Sequence, residues 1–306
     1  MDFFRIIAVG FVCMAMSACT ITMKEDMIFN PPSHNAAADV ATMALEDEGK
    51  LLDAESDLSD SLAGLLPAKV THGYLETPDQ PTAYTLIEAA GEAGDDRPLI
   101  VSCYGSGGDR PHHGVYYAEK LLPWGDVLEF DYPGYGDTTG TPSIAGIESQ
   151  RPFVIEKAEA IAGDRPLIYW GHSLGGWVCP HFAASSAKAD AMVYETSALN
   201  SKEASVVWKP WYMRMLPIRM EPEKSLEGDN NAAPLKDFDG PVLVVSGGKD
   251  KILPAWLSKS LYEALKAQGN DVTYIEVEDG THINAPLQPQ FKQDAAGFFA
   301  RVRDGD

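Results

Sequence analysis

Pro166-Leu167-Ile168-Tyr169-Trp170-Gly171-His172-Ser173-Leu174-Gly175-Gly176-Trp177-Val178-Cys179-Pro180-His181-Phe182-Ala183-Ala184 joins an apolar run, a serine among small residues, and a second run compatible with a helix. The order predicts strand, sharp turn, helix. It fits the pattern G-x-S-x-G, in which Gly171 and Gly175 let two backbones crowd while Ser173 takes a strained turn conformation. The turn also leaves Ser173 at a helix N-terminus, where unpaired N–H groups and the helix dipole favour negative charge developing on a nearby oxygen.

Outward from this stretch the alternation recurs. Val70 to Leu75 and Thr82 to Glu88 form an antiparallel opening pair around the Pro78 and Pro81 turn, and Pro98 to Cys103 is a short apolar run of the buried-strand kind. Helical periodicity spans Gly114 to Leu122, a strand follows at Asp126 to Phe130, and a helical region covers Ile144 to Ala162 with an interruption at Pro152. Beyond the serine come a strand at Ala191 to Tyr194, an irregular insertion from Ser197 to Gly240, and a strand at Val242 to Ser246. A helix at Ala255 to Gln268, a strand at Val272 to Val277 and a closing helix from Gln288 to Val302 complete the chain. Repeated β-then-α order predicts an α/β fold, a mainly parallel sheet with helices on both faces.

The 306 residues are 45% hydrophobic and 23% charged, enough for one sizeable core, and a single domain is expected over 68–306. A formal net charge of −21 repels phosphate backbones, which argues against nucleic acid as a partner. At the N-terminus, Met1-Asp2-Phe3-Phe4-Arg5 precedes an apolar run from Ile6 to Ser17 that is too short to span a bilayer. It has the length of a signal-peptide core, and Met16-Ser17-Ala18-Cys19 resembles a bacterial lipobox, in which the cysteine is acylated. That resemblance implies a leader over 1–18, lipidation at Cys19, and, from Thr20, the periplasmic face of an outer membrane; an ordinary cleaved leader or a buried helix are the other readings. Residues 19–67 are poor in large apolar side chains, with an acidic excess from Glu46 to Asp60, and read as a tether or linker. Of four cysteines, Cys13 leaves with the leader and Cys19 takes lipid. Cys103 and Cys179, both in apolar surroundings, are expected as buried unpaired thiols, although an oxidising envelope would permit a bridge.

Three further motifs surround the serine. Tyr104-Gly105-Ser106-Gly107-Gly108-Asp109-Arg110 follows a core strand; Val245-Ser246-Gly247-Gly248-Lys249-Asp250-Lys251-Ile252-Leu253-Pro254 follows another; Glu278-Asp279-Gly280-Thr281-His282-Ile283-Asn284 follows the last. With Asp131-Tyr132-Pro133-Gly134-Tyr135-Gly136, a turn in which Asp131 is expected to brace its neighbours, they resemble the α/β-hydrolase family, especially its serine aminopeptidase-like and esterase or thioesterase branches, across about residues 68 to 303. The resemblance implies Ser173 as nucleophile, His282 as general base and Asp250 as the acid that orients it. Glu195, which ends the preceding strand, is the competing acid. It also implies an oxyanion hole from the N–H groups of Ser106 and Leu174, with Tyr104 standing where the family has His. His172 occupies the variable position of the turn and is expected to point away; His112, His113 and His181 are expected on helix faces.

The expected activity is serine hydrolysis of carboxylic esters or related acyl compounds through an acyl-enzyme. An acyltransferase or peptidase using the same triad, and a non-catalytic envelope binding lipoprotein on the same scaffold, are the alternatives. No metal-ligand spacing occurs, so neither metal nor cofactor is implied. The partner is a small acyl substrate, with the membrane contacted only through the N-terminal lipid. Specificity is expected from a cap at about 197–240, where Trp208, Trp211 and Tyr212 offer an apolar wall, together with Tyr104, favouring short or medium acyl groups.

Overall fold

The apolar runs become, in a computed structural model, an eight-stranded sheet with a separate two-stranded ribbon. The structure describes residues 20–32, 68–89, 97–208, 219–224, 226 and 229–305. In chain order the strands are β1 (Thr20–Met23), β2 (Ala68–Leu75), β3 (Thr82–Ala89), β4 (Leu99–Cys103), β5 (Asp126–Phe130), β6 (Leu167–His172), β7 (Ala189–Glu195), β8 (Arg219–Pro222), β9 (Val242–Gly247) and β10 (Val272–Val277). The helices are α1 (Arg110–Leu121), α2 (Ile144–Ala162), α3 (Gly175–Ser185), α4 (Ser201–Trp208), α5 (Ala255–Gln268) and α6 (Pro289–Asp304).

The large sheet runs β10-β9-β7-β6-β4-β5-β3-β2. From β10 to β5 every pairing is parallel; β3 is antiparallel to both β5 and β2. Strand alternation sends Leu99, Val101 and Leu167 to a core shared with α2, α3 and α5, and Ile100, Val127 and Ile168 to a core shared with α1 and α6. This is the α/β-hydrolase fold. The C-terminal ends of β4, β6, β9 and β10 open on the same edge, the place where open α/β sheets carry their sites.

Four expectations are corrected. Pro152 lies within one continuous α2, because Ile147, Gln150, Val154, Ile155, Ala158 and Ala162 bury one face and tertiary packing outweighs the hydrogen bond that proline removes. The insertion is not wholly irregular: it contains α4 and β8. The stretch after Cys19 is not a free tether over its first residues. β1 pairs in parallel with β8, Met23 and Phe29 are buried, and residues 33–67, like the leader and Cys19, lie outside the described residues. Finally, Cys103 and Cys179 form a disulfide. A Cβ placed on Gly175 would lie 2.0 Å from the Cys103 carbonyl oxygen, so α3 is pressed onto the end of β4. That contact brings the two cysteine Cα atoms to 5.9 Å, within bridging range.

Asp131 ties two loops at the site's edge. Its Oδ1 accepts from the Arg110 N–H at 2.8 Å, its Oδ2 from the Asp137 N–H at 3.0 Å, and Arg110 Nε lies 3.4 Å from Oδ2. Burial pushes its carboxyl up to about 7 against the lowering effect of the Arg110 charge. The folded chain therefore holds this proton to a higher pH than an unfolded chain, whose Asp titrates near about 4, and the group's contribution to stability falls as pH rises through that window. Asp131→Asn cannot titrate. The gap in urea midpoint between wild type and this variant is expected to shift in the variant's favour from about pH 5 to about pH 8; a gap that does not move would refute the raised carboxyl.

Candidate active site

Ser173 joins β6 to α3 with φ of 52°, a left-handed conformation that costs a non-glycine residue on the order of 1 kcal/mol or more. Backbone contacts hold it there: its N–H donates to the Glu195 carbonyl at 2.9 Å, and its carbonyl accepts from the Gly176 N–H at 2.9 Å and Ser197 Oγ at 3.0 Å. A Cβ on Gly171 would meet the Gly175 carbonyl oxygen at 2.3 Å, which explains the small residues on either side of the serine.

Asp250 and His282 converge because the loops after β9 and β10 are pressed together. A Cβ on Gly247 would lie 2.5 Å from the Gly280 carbonyl oxygen, and the Lys249 N–H donates to that same oxygen at 2.8 Å. Asp250 Oδ2 accepts from His282 Nδ1 at 2.8 Å, while its Oδ1 accepts from the N–H groups of Ile252 at 2.8 Å and Leu253 at 2.9 Å. The carboxylate side chain is fully buried and the imidazole nearly so. With Nδ1 donating to Asp250, the neutral imidazole presents Nε2 as an acceptor.

The glycine-rich loop after β4 lies beside the serine: a Cβ on Gly105 would fall 3.4 Å from Ser173 Cβ. Ser106 is half-buried there, and the Gly105 carbonyl accepts from the Gly108 N–H at 3.0 Å. Among the described residues no acceptor takes the N–H of Ser106 or of Leu174.

Other residues take places the sequence did not disclose. Glu195 is not beside His282's imidazole. It is fully buried, with Oε1 2.8 Å from Lys120 Nζ and Oε2 accepting from Trp170 Nε1 at 2.8 Å. Tyr104, expected against substrate, is fully buried in the core, its ring edge-on to Tyr117 at 4.5 Å. Burial, reinforced by the Glu129 and Asp131 charges, raises its hydroxyl well above the usual phenol range. His112 and His113 lie on α1 with Nδ1 toward the Asp109 carboxylate, at 2.8 and 3.3 Å, and His181 is exposed on α3. Trp211, Tyr212 and the side chain of Trp208 lie outside the described residues.

His172 is the residue the sequence underrated. Its Nε2 donates to the His282 carbonyl at 2.9 Å, so Nδ1 is the acceptor and takes the Tyr117 hydroxyl proton at 2.6 Å. The Tyr117 oxygen in turn accepts from the Gly105 N–H at 3.3 Å. One directed chain thus runs from the glycine-rich loop to the backbone of His282, and Thr196 Oγ1 donates to the same carbonyl at 2.9 Å. Burial, then the Lys120 and His282 charges, holds the His172 imidazole neutral by driving its pKa well below the usual range.

Residues 153–305, half of the chain, match the Prolyl oligopeptidase family. The chain belongs to this family of α/β-hydrolases. Outside the family profile, it is similar to Protein ABHD12B of Homo sapiens, 31% identical over 184 residues that make up 55% of this chain and 50% of that protein. It is also similar to Lysophosphatidylserine lipase ABHD12 of Xenopus tropicalis, 29% identical over 54% of this chain and 46% of that protein. The chain spans about half the length of these curated relatives. Among solved structures, a Pyrococcus furiosus esterase superposes with a TM-score of 0.61 at 14% identity, covering 90% of this chain and 97% of that one. A Pyrococcus horikoshii acylaminoacyl peptidase does so with 0.53 at 15% identity, covering 83% of this chain and 44% of that one. At these identities the likeness to solved structures is one of fold.

This member of the prolyl oligopeptidase family buries a cation, Lys120, beside Tyr117 and Glu195. Desolvation lowers the Lys120 ammonium's pKa, opposed by its Glu195 partner, and the Nζ lies 4.2 Å from the Tyr117 ring centroid. Lys120→Met leaves Glu195 buried and unpaired, and is expected to lower unfolding free energy by about 3–5 kcal/mol; Lys120→Met with Glu195→Gln should recover part of that loss. Urea denaturation checks both, and equal stability of the single variant and wild type would refute the pairing.

Proposed function

We propose that the chain hydrolyses carboxylic esters and related acyl compounds through an acyl-enzyme on Ser173. The observation that carries the reading is the 2.8 Å contact between His282 Nδ1 and a fully buried Asp250 carboxylate, in loops at the same edge of the sheet as the strained serine. His282 Nε2 takes the Ser173 hydroxyl proton as Oγ bonds to the substrate carbonyl carbon, and Asp250 stabilises the imidazolium that results. The carbonyl oxygen, now an oxyanion, is received by the Ser106 and Leu174 N–H groups; such a donor is worth about 3 kcal/mol in the transition state. The carbon–leaving-group bond then breaks, the leaving alkoxide takes the proton from His282, and water repeats the sequence to release the acid.

The acyl part of the substrate is the part recognised. Buried Ala204, Leu253 and Leu257 pack α4 onto the Asp250 loop and α5, and beside them Val206, Ile252 and Trp256 expose about half of their surfaces. The relatives named as lysophosphatidylserine lipases support an ester with one acyl chain, and the family profile supports amide cleavage as the second reading. Ser173→Ala is expected to abolish both turnover of an acyl-chain ladder of esters and labelling by a fluorophosphonate; retained labelling would overturn the nucleophile. Aminoacyl amides turned over faster than every ester would favour the peptidase reading.

We propose further, from the lipobox-like Met16-Ser17-Ala18-Cys19, that the enzyme sits in the cell envelope, acylated at Cys19. The Cys103–Cys179 disulfide supports an oxidising compartment. Among the described residues no helix is long and apolar enough to cross a membrane, and attachment through acyl chains on Cys19 requires none. Metabolic labelling with a palmitate analogue is expected to mark wild type and not Cys19→Ala. Equal labelling of the two, or none on either, would overturn lipidation at this residue.

A further inference from the structure

Residues 20–32 cross the molecule from the cap to the glycine-rich loop and touch four elements on the way. β1 pairs with β8, and the Glu223 N–H donates to the Met23 carbonyl at 3.0 Å. The Glu25 N–H donates to the Glu223 carboxylate, and the Glu25 carboxylate accepts from the Ile144 N–H at 2.5 Å, at the first turn of α2. Phe29 is buried in the main core and meets Tyr135 edge-on at 6.5 Å. The segment then reaches the site: the Asn30 N–H donates to the Ser106 carbonyl at 3.1 Å and to the Tyr135 hydroxyl at 3.0 Å, and that hydroxyl donates to the same Ser106 carbonyl at 2.8 Å.

We propose that residues 20–32 are a positioning strap for the oxyanion loop, in which the Asn30 N–H and the Tyr135 hydroxyl together hold the Ser106 carbonyl and so fix the direction in which the Ser106 N–H is offered to substrate. The proposal rests on the reading of that N–H as an oxyanion donor. Both peptide units flanking Ser106 are then pinned, the first by the bond from Gly108 N–H to Gly105 carbonyl and the second by the strap. A donor serves an oxyanion only if it is held in place before the charge develops, since reorganisation during the reaction would consume the gain. Three of the four residues from Gly105 to Gly108 are glycines with no side chain to hold the loop, and the Ser106 carbonyl is the handle that neighbouring elements grip. The Asn30 side chain is exposed and takes no part; the backbone N–H is the working group.

Proline substitution isolates that group. Asn30 precedes Pro31, which already biases it toward the extended conformation that proline itself prefers. Asn30→Pro lacks the N–H and Asn30→Ala keeps it. Each variant of the full chain is assayed on a soluble short-chain ester, with active sites counted by the end point of fluorophosphonate labelling, so that loss of folded protein is removed from kcat. Relative to Asn30→Ala, Asn30→Pro is expected to show kcat per active site lowered about tenfold with KM changed less than about twofold, the signature of an interaction made in the transition state. Tyr135→Phe should show the same split. If Asn30→Pro lowers only the count of active sites, or raises KM at constant kcat, the strap is structural and the proposal is overturned. Ser106→Pro separates the two levels. If it lowers kcat while Asn30→Pro does not, the strap fails alone; if it leaves kcat per active site unchanged, the oxyanion reading fails and the strap with it.

Discussion

The fold's commitments begin with crowding between the start of α3 and the end of β4. The place where a Cβ of residue 175 would stand is 2.0 Å from the Cys103 carbonyl oxygen, so only glycine lets the helix come this close. From that approach follow the left-handed turn at Ser173, the unclaimed N–H of Leu174 at the head of α3, and the meeting of Cys103 with Cys179. The glycine-rich loop leaves the same strand directly after Cys103, and Ser106 stands three residues beyond it. The serine and the Leu174 amide are thus placed by one steric constraint, while the Ser106 amide has its own loop contacts.

Beneath this layer lies a polar one that folding must tolerate. Lys120, Glu195, Trp170, Tyr117 and His172 are all buried, and each polar atom finds a partner whose direction is dictated by chemistry. A carbonyl can only accept, so the His282 carbonyl fixes the His172 tautomer, and that tautomer fixes which way the Tyr117 hydroxyl points. The arrangement specifies one protonation pattern below the imidazole of His282 while Asp250 specifies the pattern on its far side. Hydrogen-bonded groups on both sides restrict the loop after β10, which has no regular structure of its own beyond a short turn at Ala285–Leu287.

Much of this was legible in the chain because it depends on local pattern. The β-then-α rhythm, the glycines around Ser173, and the placement of Ser106, Asp250 and His282 after apolar runs are all short-range features. What was not legible depends on long-range packing. Pro152 predicts a break, yet the buried face of α2 overrides it. Tyr104 looks like a site residue from its position after β4, but beyond the end of the strand alternation no longer holds, and its side chain turns into the same core as Cys103, edge-on to Tyr117. Cys103 and Cys179 lie 76 residues apart in sequence, and their pairing follows from the approach of Gly175 rather than from any spacing of cysteines. The docking of residues 20–32 is the hardest to foresee, since Ile21, Met23 and Met27-Ile28-Phe29 show no helix or core-strand period, and nothing local says that Met23 and Phe29 are the two that become buried.

The ribbon of β1 and β8 carries a consequence for how the protein opens. Its two strands are separated by about 200 residues, the longest separation of any strand pair among the described residues, which contribute no third strand to it. A two-stranded pairing of this kind has little stability of its own and belongs to the part of a protein that exchanges its amide hydrogens first. When it parts, the edge of β8 is left unpaired, while buried Phe29 and the Asn30 N–H still hold the other end of the segment.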